Sequence, residues 1–159
     1  MKMQNKNYLS LIIWIVALIA IGGVIGSLTK PEISTWYSAL NRSTLTPPNY
    51  VFPVAWTILY GIIGTCGWLI WRKSQFAELS VIKTLYLAQL ILNWSWTPLF
   101  FHYHLTGISL VVLGLMDILV VTLIWLACQK MRVVSLLLIP YLFWILFATY
   151  LNFYIWHYN

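Results

Sequence analysis

The sequence predicts an all-α integral membrane protein: a single domain over residues 1–159, in which five transmembrane helices bundle beneath a long first loop that acts as a lid. Three observations predict it. Hydrophobic residues make up 62% of the chain and charged residues only 8%, against about 25% charged in a soluble domain, so there is too little charge to coat a compact particle in water. Residues 7–29, 43–71 and 133–159 contain no Lys, Arg, Asp or Glu, and each run exceeds the roughly 20 apolar residues of a spanning helix. The runs are continuously apolar, without the alternation of a membrane-barrel strand.

The first span is expected over 8–28. Lys2 and Lys6 precede it and Gly26-Ser27 supplies small residues near its end, as in a secretory signal. Its apolar run of about 20 residues nevertheless exceeds the roughly 7–15 of a signal core, and it reads as a retained helix. The second span is expected over 51–71, the third over 82–102, the fourth over 107–128 with Asp117 inside it, and the fifth over 133–156. Cys66 and Cys128 fall in spans, with neither metal-ligand spacing nor a disulfide framework, and read as small buried apolar side chains.

Five spans place Lys2, Lys6, Arg72, Lys73, Lys83, Lys130 and Arg132 on one side, and Lys30 and Arg42 on the other. By the positive-inside bias the N-terminus is expected to be cytoplasmic and the C-terminus outside. The net charge of +6 then reflects topology and anionic lipid rather than nucleic acid. The first loop, residues 30–50, holds Trp36, Tyr37 and Pro47-Pro48. A loop of that length in a compact domain is functional or disordered, and its aromatic content favours a segment folded over the outer mouth of the bundle.

Ten tryptophans need sorting. Trp14, Trp68, Trp71, Trp125 and Trp156 lie toward span ends and read as an interfacial belt. Trp36, Trp56, Trp94, Trp96 and Trp144 form the more informative set. In the third span Gln89, Asn93, Trp96 and Phe100 share one helical face, and amides facing lipid would be left unpaired, so that face turns inward. Pro140, Trp144, Ala148 and Leu151 form a second stripe, and Trp56, Tyr60 and Gly64 a third. Two readings stay open for these stripes: interhelical glue and core packing, or an aromatic pocket with a few orienting polar groups.

Asp117 is the one acid inside a span, a functional hypothesis by default, with proton coupling and hydrogen-bonded packing as its alternatives. His102 and His104 have the spacing for metal or haem ligation but lack a carboxylate or cysteine partner nearby in sequence. Gly22 and Gly26 have the small-xxx-small spacing of close helix contacts, including contacts between copies.

The stretches WYSALNRSTLTPPNYVFPVAWTILYG, QLILNWSWTPLFF and PYLFWILFATYLN, in that order, resemble the translocator protein family, whose bacterial members are called tryptophan-rich sensory proteins and whose vertebrate member is the peripheral benzodiazepine receptor. The resemblance runs from the first loop to the C-terminus. It implies a five-helix bundle, a homodimer, and a pocket closed by the first loop that takes porphyrins such as protoporphyrin IX, sterols or synthetic isoquinoline and benzodiazepine compounds. It carries ligand-binding roles to Trp36, Tyr37 and Pro47 in the loop, Trp56 in the second span, Gln89, Asn93 and Trp96 in the third, and Trp144, Ala148 and Leu151 in the fifth.

The sequence departs from the family pattern in three places. Ser43-Thr44-Leu45 stands where members show Pro-Ser-Trp, which removes a loop tryptophan and predicts a looser lid. Tyr154 is followed by Ile155, Trp156 and His157 without the basic residue of the animal sterol motif. Tyr150 stands where a smaller residue is usual.

The resemblance thus implies a membrane receptor for porphyrins and related hydrophobic ligands, with light-dependent porphyrin breakdown as a further activity; if Trp36 and Trp144 flank the ring, they are the expected photo-oxidation partners. Arg42 or Lys30 would meet a propionate. No cofactor is obligatory; the porphyrin is a ligand, and whether the protein is an enzyme stays open. The alternatives are a transporter without chemistry, opening at Pro98 and Pro140, and a purely structural bundle. Hydrolase, kinase and metal-enzyme readings have no supporting motif.

Overall fold

A computed structural model describes residues 2–73 and 79–159, with the Lys2 and Lys6 side chains outside the description. The chain forms α1 (Lys2–Ser34), α2 (Trp36–Ala39), α3 (Val51–Arg72), α4 (Ser80–Thr97), a π-helical segment (Pro98–His102), α5 (Thr106–Lys130) and α6 (Arg132–Tyr158). No strand occurs among the described residues. The five long helices run up and down. Trp68 near the end of α3 donates to Ser10 near the start of α1, and Lys73 reaches the Lys130 carbonyl at the end of α5. At the opposite end Glu32 meets His104, and Asn41 meets Asn159. Around the bundle α1 packs on α3, α3 on α6, α6 on α5 and α5 on α4, which closes back onto α1.

Four of these helices, Tyr8–Ser34, Val51–Arg72, Thr106–Lys130 and Arg132–Tyr158, are long and apolar enough to cross a membrane. Their apolar side chains point outward as well as inward: Ile58, Ile118, Leu136 and Phe143 are all largely exposed, the pattern of helices whose solvent is lipid. α4 is less apolar because it carries Lys83, Gln89 and Asn93. Its buried side chains, Ile82, Tyr86, Gln89, Leu90, Asn93 and Trp96, lie on one face, so its amides turn to the interior where partners exist.

α1 runs past its expected end at residue 28, through Lys30, Pro31 and Glu32 to Ser34. Hydroxyls sustain this last stretch: Thr29 donates to the Gly26 carbonyl, and Ser34 and Thr35 both donate to that of Pro31. The first loop is correspondingly shorter than expected, and its start is the helical turn α2. Two glycines let α1 meet α3. A Cβ on Gly64 would lie 3.0 Å from the Ile15 Cα, and one on Gly22 would clash with the edge of the Tyr60 ring. Gly22 is therefore used within the bundle, while Gly26 faces open space.

Pro98, which has no N–H to continue the helical ladder, opens the π-helical turn that ends the third long element. The Tyr103 N–H closes it on the Pro98 carbonyl at 3.0 Å. His104, with φ of 55°, then reverses the chain into α5. Of the tryptophans expected in an interfacial belt, Trp125 and Trp156 are exposed, but three others pack between helices. Trp14 and Trp71 lie 5.2 Å apart beside Tyr86, and Trp68 bonds to Ser10. Cys66 is buried as expected, whereas Cys128 is exposed, on the outward face of α5.

Candidate functional site

The amides of α4 meet two tyrosines at the centre of the bundle. The Tyr60 hydroxyl of α3 donates to Asn93 Oδ1 at 2.7 Å, Asn93 Nδ2 donates to the Tyr141 hydroxyl of α6 at 3.0 Å, and that hydroxyl donates to Gln89 Oε1 at 2.8 Å. Gln89 and Tyr141 have no exposed surface and Asn93 almost none. Three helices are thus locked by one polar chain, and each lone bond of this kind contributes about 1 kcal/mol in a membrane. Gln89 Nε2 is the loose end: it has no partner among the described residues.

Above this layer the aromatic rings form a continuous body. Trp56 lies 5.6 Å from Tyr60, 6.4 Å from Trp96 and 6.5 Å from Trp144, the last nearly perpendicular at 87°. Trp96 stacks on Phe100 at 5.6 Å. Phe100 meets Trp36 edge-on at 5.5 Å and Tyr37 at 6.3 Å, which joins the loop to the bundle. The Trp96 indole N–H is committed to Asn152 Oδ1 at 3.1 Å, an oxygen that also accepts from Ser109. The buried N–H of Trp144 has no partner among the described residues.

On α6 the inward face is Leu138, Tyr141, Ile145, Ala148, Asn152 and Ile155, with Leu151 buried beside it. Pro140, expected on the same stripe as Trp144, is exposed. A spacing of four repeated from Pro140 drifts around the helix, leaving Trp144 at the edge and Pro140 outside. Ala148 and Leu151 do turn inward.

The loop is tied to the bundle at several points. The imidazole of His104 stacks flat on Trp36 at 4.1 Å, and its Nε2 lies 3.2 Å from Glu32 Oε2, a carboxylate that sequence distance hides. Arg42 lies over the Tyr37 ring at 5.1 Å. Burial raises the Tyr37 phenol above its ordinary pKa, and the neighbouring guanidinium partly offsets this. Asn41 and Asn159 exchange two bonds between backbone and side chain. Ser43 and Tyr150 share a hydrogen bond of 2.9 Å, so the Ser-Thr-Leu departure does not leave the loop untethered. Pro47 stands apart from the ring cluster, on a cleft of about 550 Å³ formed by the loop itself with Arg42 and Thr46.

The structure therefore brings Trp36, Tyr37, Trp56, Trp96 and Trp144 into one aromatic body over Gln89 and Asn93. Sequence reasoning left out Tyr141 and Asn152, although the rule that turns span amides inward applies equally to Asn152. Asp117 accepts from the Thr149 hydroxyl at 2.8 Å; its other oxygen is buried without a partner among the described residues. No group of three or more His, Cys, Asp or Glu side chains suited to a metal ion occurs among the described residues.

The family model of the TspO/MBR family matches residues 14–157. The tryptophan-rich protein TspO of Archaeoglobus fulgidus is 37% identical over 96% of this chain and 99% of its own length. The translocator protein of Homo sapiens is 36% identical over 78% of this chain and 75% of its own, and the tryptophan-rich sensory protein of Cereibacter sphaeroides is 36% identical over 80% and 78%. A match that covers both the ring cluster and its polar floor identifies this multi-pass membrane protein as a member of the TspO/MBR family.

Proposed function

We propose that this protein is a membrane receptor for planar tetrapyrroles such as protoporphyrin IX, taken up in the outer half of a five-span bundle beneath residues 35–50 as a lid. The supporting observation is the unbroken run of rings from Trp36 through Phe100, Trp96 and Trp56 to Trp144. Aromatic pairs contribute about 0.5–1.5 kcal/mol each beyond the area they bury, and a flat macrocycle can replace such pairs with stacks of its own. The free N–H groups of Trp144 and Gln89 supply donors to orient a ligand, and Arg42 at the mouth can clasp a propionate with two bonds. The names of the relatives, translocator and sensory protein, agree with a role in handling a small molecule.

In this reading α4 and its π-helical extension are the remaining span, with the amides shielded from lipid by Tyr60 and Tyr141. The basic end faces the cytoplasm by the positive-inside bias. The protein is read as a homodimer from the family resemblance; Gly22, engaged with Tyr60, lies outside that interface.

Light adds a second activity: excited porphyrin passes energy or an electron to dioxygen, and the ring and nearby indoles, Trp36 and Trp144 first, are oxidised by it. The test is a titration of detergent-purified protein with protoporphyrin in darkness, followed by illumination in air. Saturable tryptophan quenching supports the receptor. Bleaching that is lost in a Trp36→Phe, Trp144→Phe double variant supports the photochemistry, and equal bleaching removes the indoles from it.

A further inference from the structure

We propose that Asp117, near the middle of α5, is a proton-binding site: it holds a proton inside the membrane and donates it to the Thr149 hydroxyl across the seam of α5 and α6. The inference stands on hydrogen-bond geometry and does not depend on the tetrapyrrole reading. Thr149 Oγ1 lies 2.8 Å from Asp117 Oδ2 and 2.9 Å from the Ile145 carbonyl one turn earlier on α6. A hydroxyl has one hydrogen and two lone pairs, and a backbone carbonyl only accepts. With Asp117 as a carboxylate, the bond it accepts from Thr149 is shared with Ile145. Its Oδ1, buried and without a partner among the described residues, then receives nothing. With a proton on Oδ2 the hydrogens match their acceptors. Asp117 donates to Thr149, Thr149 donates to Ile145, and Oδ1 becomes the carbonyl oxygen of a neutral acid, which tolerates a missing donor better than a charged group does.

The surroundings argue the same way. An ionised carboxylate among spanning helices is paired with a cation or faces a water-filled space. Residues 7–29, 51–71, 84–101, 106–129 and 133–156 contain no Lys, Arg or His. Asp117 stands about 17 Å along the axis from the start of α5 and about 20 Å from its end. Lys83, His102, Lys130 and Arg132, at the ends of the elements packed on α5, are out of reach. The titratable side chains along those elements are tyrosines with bonds of their own: Tyr86 to the Ile63 carbonyl, Tyr141 to Gln89 and Tyr150 to Ser43. Leu115 and Ile118, beside the acid, are exposed and turn to lipid rather than water. Thr149 also stands between Ala148 on the inward face of α6 and Tyr150, which tethers the loop. Loss of the proton leaves a charge at the seam and draws the Thr149 hydrogen away from Ile145, so its effect reaches the lid through α6.

The test is infrared spectroscopy of the full-length protein in an ester-free detergent, with no ligand added. A protonated carboxyl shows a C=O band that a carboxylate lacks, and a chain with three acids leaves that band easy to assign. At neutral pH the band should be present, shift in heavy water as the proton exchanges, and vanish in Asp117→Asn. Thr149→Val, which takes away the acceptor, should move the band, whereas Thr149→Ser should leave it in place. Glu32→Gln, at the mouth of the bundle, should change nothing. Should Asp117→Asn not fold, Asp117→Glu carries the assignment: the band should persist at a new position. Absence of the band at neutral pH, its survival unchanged in Asp117→Asn or Asp117→Glu, no shift in heavy water, or indifference to Thr149→Val would each overturn the site.

Discussion

The hydroxyls of Ser43 and Tyr150, 107 positions apart in sequence, share a hydrogen bond of 2.9 Å that ties the first loop to the last helix. Both residues lie where the resemblance led us to expect departures from the family pattern, and in the structure they meet each other. Ser43 is buried and also accepts the Leu45 N–H at 3.1 Å, so it holds the loop turn as well as the tether. Tyr150→Phe removes the tether alone, at a cost of about 1 kcal/mol. Hydrogen exchange should then accelerate across residues 41–46 while the amides of α3 and α6 stay protected; unchanged loop exchange would count against the tether.

Tyr141 sits at the crossing of the polar chain, accepting from Asn93 and donating to Gln89. Tyr141→Phe removes the described partners of Asn93 Nδ2 and Gln89 Oε1 in a buried place, while Asn93 Oδ1 keeps its bond from Tyr60. The expected loss is about 1–3 kcal/mol, toward the lower end because unfolded helices in lipid find partial partners. Thermal unfolding in detergent measures it, and Tyr141→Phe should be more harmful than Tyr150→Phe.

Gly22 faces the Tyr60 ring so closely that Gly22→Ala must move the ring, and Tyr60 is bonded to Asn93. Overpacking of this kind costs about 1–3 kcal/mol. Gly26→Ala, which meets open space within the helix, should leave the unfolding temperature unchanged or raise it slightly, because Ala is the better helix former. Equal behaviour of the two variants would mean that α1 and α3 do not approach as described.

Trp96 and Trp144 should separate stability from binding. Trp96→Phe gives up an indole bond to Asn152 and should lower the unfolding temperature. Trp144→Phe gives up an N–H without a described partner, so it should spare stability and weaken porphyrin affinity several-fold. Paired melting curves and quenching titrations decide it; a reversed pattern would contradict the assigned roles.

His104 covers one face of Trp36. His104→Ala should therefore make Trp36 fluorescence more accessible to acrylamide, an effect best read in a background where the other tryptophans of the cluster are phenylalanine. No gain in quenching would mean the stack does not shield the indole.

Helix identity was largely legible in the sequence, because in lipid the backbone must satisfy its hydrogen bonds locally and apolar length reports that demand directly. The inward turn of Gln89 and Asn93 was legible for the same reason. The end of α1 was misplaced because the charge-free run stops before Lys30, while the hydroxyl bonds to carbonyls that accompany the helix beyond residue 28 appear only in the structure. Trp14, Trp68 and Trp71 make interhelical contacts that the sequence did not announce, because nearness to a span end does not say which way an indole points.

The sequence by itself determined the solvent of this protein, its helical construction, the amides that must avoid lipid and, through its motifs, the family. Tertiary structure alone decided the pairings: Tyr141 between Asn93 and Gln89, His104 on Trp36 and beside Glu32, Ser43 with Tyr150, and Asp117 with Thr149. Composition and local periodicity report how a segment meets its surroundings. Contacts between segments depend on the rotation and register of each helix against its neighbours, which packing across the whole bundle fixes and which no short stretch of chain contains.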